Sequence, residues 1–194
     1  MLRRTVLISA VVALAIATSS AKGMYGNSRG HHNNNSNVTN NSVVLPTTEL
    51  TEAQKEDLVY MLEEEKIARD VYSTLYDVYG SRIFKNIIRS EERHVDAVKS
   101  LVEKYGVEAP ATLYNEGVFE NEELQELYDS LVAKGKSSLT DALKVGVEIE
   151  ELDISDIENI LNAGVPEDFE RVYKNLLNGS YNHLNAFNRQ LARQ

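Results

Sequence analysis

Glu91 and His94 stand three residues apart, close enough in sequence for one helix face to carry both. A carboxylate oxygen and an imidazole nitrogen presented together are donors suited to iron, manganese or zinc. Around them Phe84, Ile87, Val98, Leu101 and Tyr105 recur in steps of three and four, the period of an inward helix face. Both residues therefore fall at core positions of an otherwise apolar stripe. An unpartnered buried carboxylate costs on the order of several kcal/mol, so something must compensate it. The same interruption occurs in three other stripes. Glu65 lies in line with Leu58, Met61, Tyr72 and Leu75; His183 with Phe169, Leu176, Ser180 and Phe187; and either Glu150 or Glu151 with Leu143, Val147, Ile154 and Ile157. The plainer readings are a buried ion pair of Glu91 and His94 with Arg69 or Arg93, and a hydrogen-bonded core histidine at His183.

These residues need long helices to position them. Thr51 followed by Gln54 is a capping-box pattern opening a helix that runs to Tyr79 and stops at Gly80. A second helix spans about Ser81 to Tyr105 and stops at Gly106. Residues 107–121, with Pro110, form a connection, and a short helix follows from about Glu122 to Lys134, ended by Gly135. Ser138 opens the next long helix, with Asp141 three residues on, and it fades near Asn162 to Gly164. Pro166 sits in the first turn of the last helix, which has a weak point at Gly179. No stretch alternates with period two, so the fold class is all-α. The expected arrangement is an antiparallel four-helix bundle, with the short extra helix in the crossover between two helix hairpins.

The two halves of the chain repeat. Glu64 to Val71 can be laid on Glu150 to Ile157, and Glu91 to Ala97 on Ser180 to Ala186. This pairs Glu65 with Glu151, His94 with His183, and Glu91 with Ser180, giving a pseudo-twofold bundle whose second half has an incomplete ligand set. Asp70 and Asp156 read as arginine partners or caps. Tyr72 and Tyr181 read as neighbours of the site or as ordinary packing. The acidic runs Glu63 to Glu65 and Glu120 to Glu126 read as solvated surface, Glu65 apart.

Composition narrows the rest. Among 194 residues there is no cysteine, which excludes disulfides, thiolate metal sites and cysteine nucleophiles. A formal charge of -10 argues against nucleic acid as a partner. Arg3 and Arg4 precede an apolar run from Val6 to Ala17 and the small residues Ser19 to Ala21, a pattern that reads as a signal peptide over 1–21. The run is too short for a comfortable membrane span, so no stable span is expected after cleavage. Residues 22–48, rich in Asn and Ser, read as a disordered tether, and 49–194 as the bundle domain. The tether holds His31-His32 and Asn-X-Ser/Thr triplets starting at Asn34, Asn37 and Asn40. The expected location is outside the cytoplasm: extracellular, periplasmic or cell-envelope associated.

Glu65-Lys66-Ile67-Ala68-Arg69 resembles the Glu-X-X-Ala-Arg motif of rubrerythrin-type di-iron proteins of the ferritin-like superfamily, and Glu91-X-X-His94 resembles their second-helix ligand pair. From about Leu50 to Leu191 the chain is similar to the ferritin-like family called domain of unknown function 2202. The matching segments are Glu63 to Lys66, Glu91 to His94, Ile149 to Ile154 and Gly179 to His183. The resemblance implies a two-metal site, with iron the first expectation and manganese or zinc the others. Glu65 and Glu151 would be helix-donated carboxylates, Glu91 and His94 one ligand pair, and His183 the second imidazole. Ser180 departs from the rubrerythrin pattern, which has a second Glu there. One metal, or two completed by Glu150, or a metal-free polar core are the consequences to separate.

Two functions of different class follow. One is an exported metal-binding protein with oxidase or peroxide-reducing chemistry, served by a redox partner the sequence does not identify and compatible with a homodimer. The other is a metal-free helical module of the cell envelope that has lost the chemistry. An iron-storage cage fits the tether and export signal least well.

Overall fold

The computed structural model describes residues 49–194, which form a helical bundle of five helices with no strand among them. The signal peptide, the tether, its Asn-X-Ser/Thr triplets and His31-His32 lie outside the described residues. Helix α1 (Glu52–Tyr79) opens with the capping box: Gln54 N–H donates to Thr51 Oγ1 at 3.2 Å, and Thr51 N–H to Gln54 Oε1 at 3.0 Å. It ends at Gly80, whose φ of 61° lets its N–H close back on the Tyr76 carbonyl at 2.7 Å. Helix α2 (Arg82–Lys104) follows at once. After the connection come α3 (Glu122–Gly135), capped by Asn121, and α4 (Leu139–Ala163), capped by Ser138. The last helix, α5 (Glu167–Leu191), has Pro166 as its N-cap rather than inside its first turn.

The largest helix contacts join α1 to α2 and α4 to α5, and α2–α5 and α1–α4 contacts close a circuit of the four long helices. Helix α3 rests on α1 and α4. Two apolar cores result. One gathers Val71, Tyr72, Leu75, Phe84, Ile87, Leu143, Val145 and Phe187. The other gathers Leu58, Met61, Leu62, Val98, Leu101, Ile157, Phe169, Tyr173 and Leu176. Every long helix contributes to both, and between its two contributions each carries buried polar residues: Glu65 on α1, Glu91 and His94 on α2, Glu150 and Asp153 on α4, Ser180 and His183 on α5. The interruptions seen in four separate stripes thus belong to one polar layer sandwiched between two apolar ones.

Two further expectations change. Glu63 and Glu64 are buried, not solvated, because α1 packs against α2, α3 and α4 and has little free face left. Burial, with Asp156 and Asp153 close by, pushes the Glu64 carboxyl well above the ordinary range. Gly179 is no weak point either, since α5 runs through it unbroken.

Candidate metal centre

Helix spacing explains how each side chain reaches the layer. Glu91 and His94 occupy one face of α2, Glu150 and Asp153 one face of α4, and Ser180 and His183 one face of α5, each pair separated by three residues. His94 Nδ1 lies 2.9 Å from Glu91 Oε2 and 3.2 Å from Glu65 Oε2. His183 Nδ1 lies 2.8 Å from Glu91 Oε1 and 3.5 Å from Glu150 Oε2. Glu91 therefore turns one oxygen to each histidine. Two groups of donors follow, Glu65/Glu91/His94 and Glu91/Glu150/His183, with all donor atoms in each group within 4.8 Å of one another. The imidazoles stack across the layer with centroids 5.6 Å apart and planes inclined by 30°.

Surroundings fix the orientation of these groups. Tyr72 donates its hydroxyl to Glu150 Oε1 at 2.7 Å, locking that carboxylate against α1. Gly179 allows α5 to approach His94 closely: a Cβ there would sit 2.5 Å from Nε2. The outer edge of the ring is thus packed on α5 while Nδ1 turns to the carboxylates. Ser180 donates its hydroxyl to Asp153 Oδ2 and shares its donor with the Leu176 carbonyl, 3.0 Å away.

Electrostatics is strained in a way that suits a cation. Burial alone pushes the Glu91 carboxyl up, but His183 and His94 overcome it and hold it at about 2. Burial pushes Glu65 and Glu150 up to about 7 each, His94 and His183 respectively giving partial relief and the nearby Glu91 charge opposing it. Burial pushes Asp153 well above the usual carboxylate range, and the charges of Glu65, Glu150 and Glu91 add to this. Burial lowers both imidazoles, yet the flanking carboxylates raise His94 to about 11 and His183 to about 10. Four buried carboxylates share this layer with two imidazoles. Glu65 Oε1, Glu91 Oε1, Asp153 Oδ1 and His183 Nδ1 are buried without a hydrogen-bond partner. The Glu91–His183 approach has ion-pair distance but lacks hydrogen-bond direction, so both atoms remain unsatisfied. Excess carboxylate with lone pairs converging on two points is the donor chemistry of a pair of divalent transition-metal ions, and the residues fit such a group.

Of the residues singled out in the sequence, Glu65, Glu91, His94, Glu150 and His183 come together. Glu151 does not: it is exposed, one residue round α4 from the buried Glu150. The repeat register that paired Glu65 with Glu151 is off by one, because a helix turns about 100° per residue and only one of two adjacent glutamates can face the layer. The ion-pair reading with arginine also fails. Arg69 binds Asp70 and the Leu113 carbonyl, and Arg93 reaches only the Ser90 hydroxyl, at 3.5 Å, on the exposed side of α2. Tyr181 is partly exposed and donates to Glu158 instead of approaching the layer. Asp153 was missed. The signal was there in the heptad-like series Gly146, Glu150, Asp153, Ile157, which the stripe through Val147 and Ile154 passes by.

Residues 54–194 match the family described as Uncharacterized protein domain (DUF2202). A curated relative, the uncharacterized protein MJ0754 of Methanocaldococcus jannaschii, is 52% identical over 147 residues, which cover 76% of this chain and 80% of that protein. The crystal structure of hypothetical protein MJ0754 is similar with a TM-score of 0.74 at 51% identity, covering 77% of this chain and 85% of the other. A DUF305 fragment from Deinococcus radiodurans matches with a TM-score of 0.58 at 12% identity, over 74% of this chain and 98% of that one, a likeness of fold alone.

Proposed function

The chain belongs to the DUF2202 family, and we propose that it is an exported ferritin-like protein that binds transition-metal ions, iron first among them, in the polar layer of its bundle. The observation that carries this reading is Glu91, a fully enclosed carboxylate with one oxygen toward each of two histidines and a further glutamate beside each histidine. The order in which the helices meet the two cores supports an antiparallel arrangement. Helices α1 and α5 pass from the core of Met61 and Leu176 to that of Leu75 and Phe187, while α2 and α4 pass the other way. Export rests on the Arg3-Arg4 and Val6 to Ala17 pattern.

In this reading Glu65, Glu91 and His94 would hold one ion, and Glu91, Glu150 and His183 a second. Iron bound there would supply redox chemistry toward oxygen or peroxide, whereas zinc would not. The protein's own part is positional. Tyr72 orients Glu150, Gly179 seats His94, and the apolar layers above and below keep bulk water from the carboxylates. Each histidine gives up its Nδ1 proton on ligation, so binding releases protons.

Metal analysis of protein purified without chelators tests the proposal, with Glu91→Ala and His94→Ala as controls. Iron, manganese or zinc in the wild type, absent from Glu91→Ala and reduced in His94→Ala, is the expected result. Wild type that carries no more metal than the variants, and whose melting temperature is indifferent to chelation, would sink it in favour of a metal-free interaction module.

A further inference from the structure

The second half of the bundle lacks a carboxylate at Ser180, yet the layer is not short of one. When Glu65 is laid on Glu150 and His94 on His183, the register that the polar layer imposes, Glu91 falls on Ser180 and Ala68 falls on Asp153. The first half has small-then-Glu at these two places and the second half has Asp-then-Ser. A carboxylate missing from α5 is matched by one gained on α4, the helix it packs against. The two replacements touch: the Ser180 hydroxyl is bonded to Asp153 Oδ2. That bond fixes the carboxyl group and leaves Oδ1 buried and unpartnered. Asp153 is 9% exposed, and Ser180 1%. The charges that bear most on Asp153 are those of Glu65, Glu150 and Glu91, all carboxylates. A serine-anchored carboxylate placed among three others is unfavourable in its ionised form unless a cation joins them, and its unpartnered Oδ1 is the atom left to meet one.

We propose that Asp153, held by Ser180, is the fourth carboxylate of the metal centre and completes the set that the departure at Ser180 leaves open. The assignment rests on the metal-binding reading above, and it makes the centre a four-carboxylate, two-histidine site with its last carboxylate moved from α5 to α4. Ser180 is a positioning residue. It touches no ion itself, and its hydroxyl holds Oδ2 so that Oδ1 is free to ligate.

Cobalt(II) titration of the full chain, read by the visible spectrum and by metal analysis after dialysis, tests this. Wild type is expected to take up two ions per chain. Asp153→Asn should weaken the second ion at least tenfold while the first stays within a factor of three, and Ser180→Ala should weaken the same step by less. The carboxylate-transfer double variant Asp153→Ala/Ser180→Glu should recover the second ion, since it rebuilds on α5 what the first half has on α2. Far-UV circular dichroism and the melting temperature of the chelator-treated variants establish that each is folded. Unchanged affinity for every ion that wild type binds, in a folded Asp153→Asn, overturns the role of Asp153 and leaves the metal centre standing. No cobalt on wild type overturns both.

Discussion

Helix α1 feeds two buried ionic clusters, and they are built on opposite principles. One side of it presents Lys66, Arg69 and Asp70 to the connection between α2 and α3. Lys66, wholly buried, donates to Asp70 Oδ2 at 2.6 Å and to the Val118 carbonyl at 3.1 Å, with its ammonium 3.8 Å from the centre of the Phe119 ring. Arg69 donates to Asp70 Oδ1 at 2.8 Å and to the Leu113 carbonyl at 3.1 Å, and Gly117 N–H also reaches Asp70 Oδ2, at 3.0 Å. Both oxygens of this carboxylate are satisfied, and its charge is balanced by cations. The other side presents Glu65 to the polar layer, where carboxylates outnumber imidazoles and four buried atoms stand without a partner. A network that closes on itself pins a loop. One that stays open, with more carboxylates than imidazoles and acceptor atoms left unpaired, is fit to take a ligand.

The largest effect expected is on the closed network. Lys66→Met would leave Asp70 buried with half its counter-charge and free the connection from α1, costing about 3–5 kcal/mol. Chemical denaturation measures this directly, and a cost below 1 kcal/mol would mean the network is decorative. No such cost is expected in the open layer when it holds no ion. There, Glu65 and Glu150 have folded-state pKa values raised from 4.5 to about 7. The native state then binds more protons than the unfolded one between those values, so their contribution is fully present below pH 4.5 and is lost as pH rises through 7. Glu65→Gln in chelator-treated protein should therefore gain on wild type as pH rises over that window, by roughly 1–3 kcal/mol. A difference that stays flat with pH would show the layer to be as well compensated as the Lys66 network.

A smaller effect separates seating from stability. Gly179→Ala places a methyl group within 2.5 Å of the present His94 ring, which must shift. Alanine also raises helix propensity by about 1 kcal/mol over glycine, so the melting temperature should hold or rise. Cobalt affinity should nevertheless fall by about tenfold, or about 1.4 kcal/mol. Loss of both together would mean Gly179 serves packing alone. Smallest is the surface tie between α2 and α5. Lys104 and Tyr105 donate to Asp168 at 2.6 Å and 2.8 Å. Burial works against the Asp168 carboxylate, but these two donors prevail and hold its pKa below the ordinary value. Its contribution is present above pH 3.8 and is lost as pH falls through the lowered value. Asp168→Asn should cost less than about 1 kcal/mol at pH 7, with the difference vanishing in acid.

How much of this was legible beforehand varies by residue. Thr51, Gln54, Gly80 and Ser138 mark helix ends through local capping chemistry, which needs only neighbouring residues. Glu65, Glu91, His94 and His183 stood out because each interrupts an apolar series whose period is written in the chain. Glu63 and Glu64 were misread because their burial depends on how many helices surround α1, which no local pattern records. Arg69 was offered to the wrong carboxylate, since its true partner is the adjacent Asp70 and a carbonyl 44 residues away.

By itself the sequence determined that the chain is helical, where its helices begin and end, and that each long helix carries a titratable group near its middle. Those are consequences of period, caps and residue type, all of which act over a few residues. Only the tertiary structure decided that the four interruptions lie at one level, that Glu150 and not Glu151 faces them, and that Ser180 is answered by Asp153 across the α4–α5 contact. The physical reason is rotational. Spacing fixes which residues of a helix share a face, whereas the angle at which that face meets its neighbours is set by the packing of whole helices.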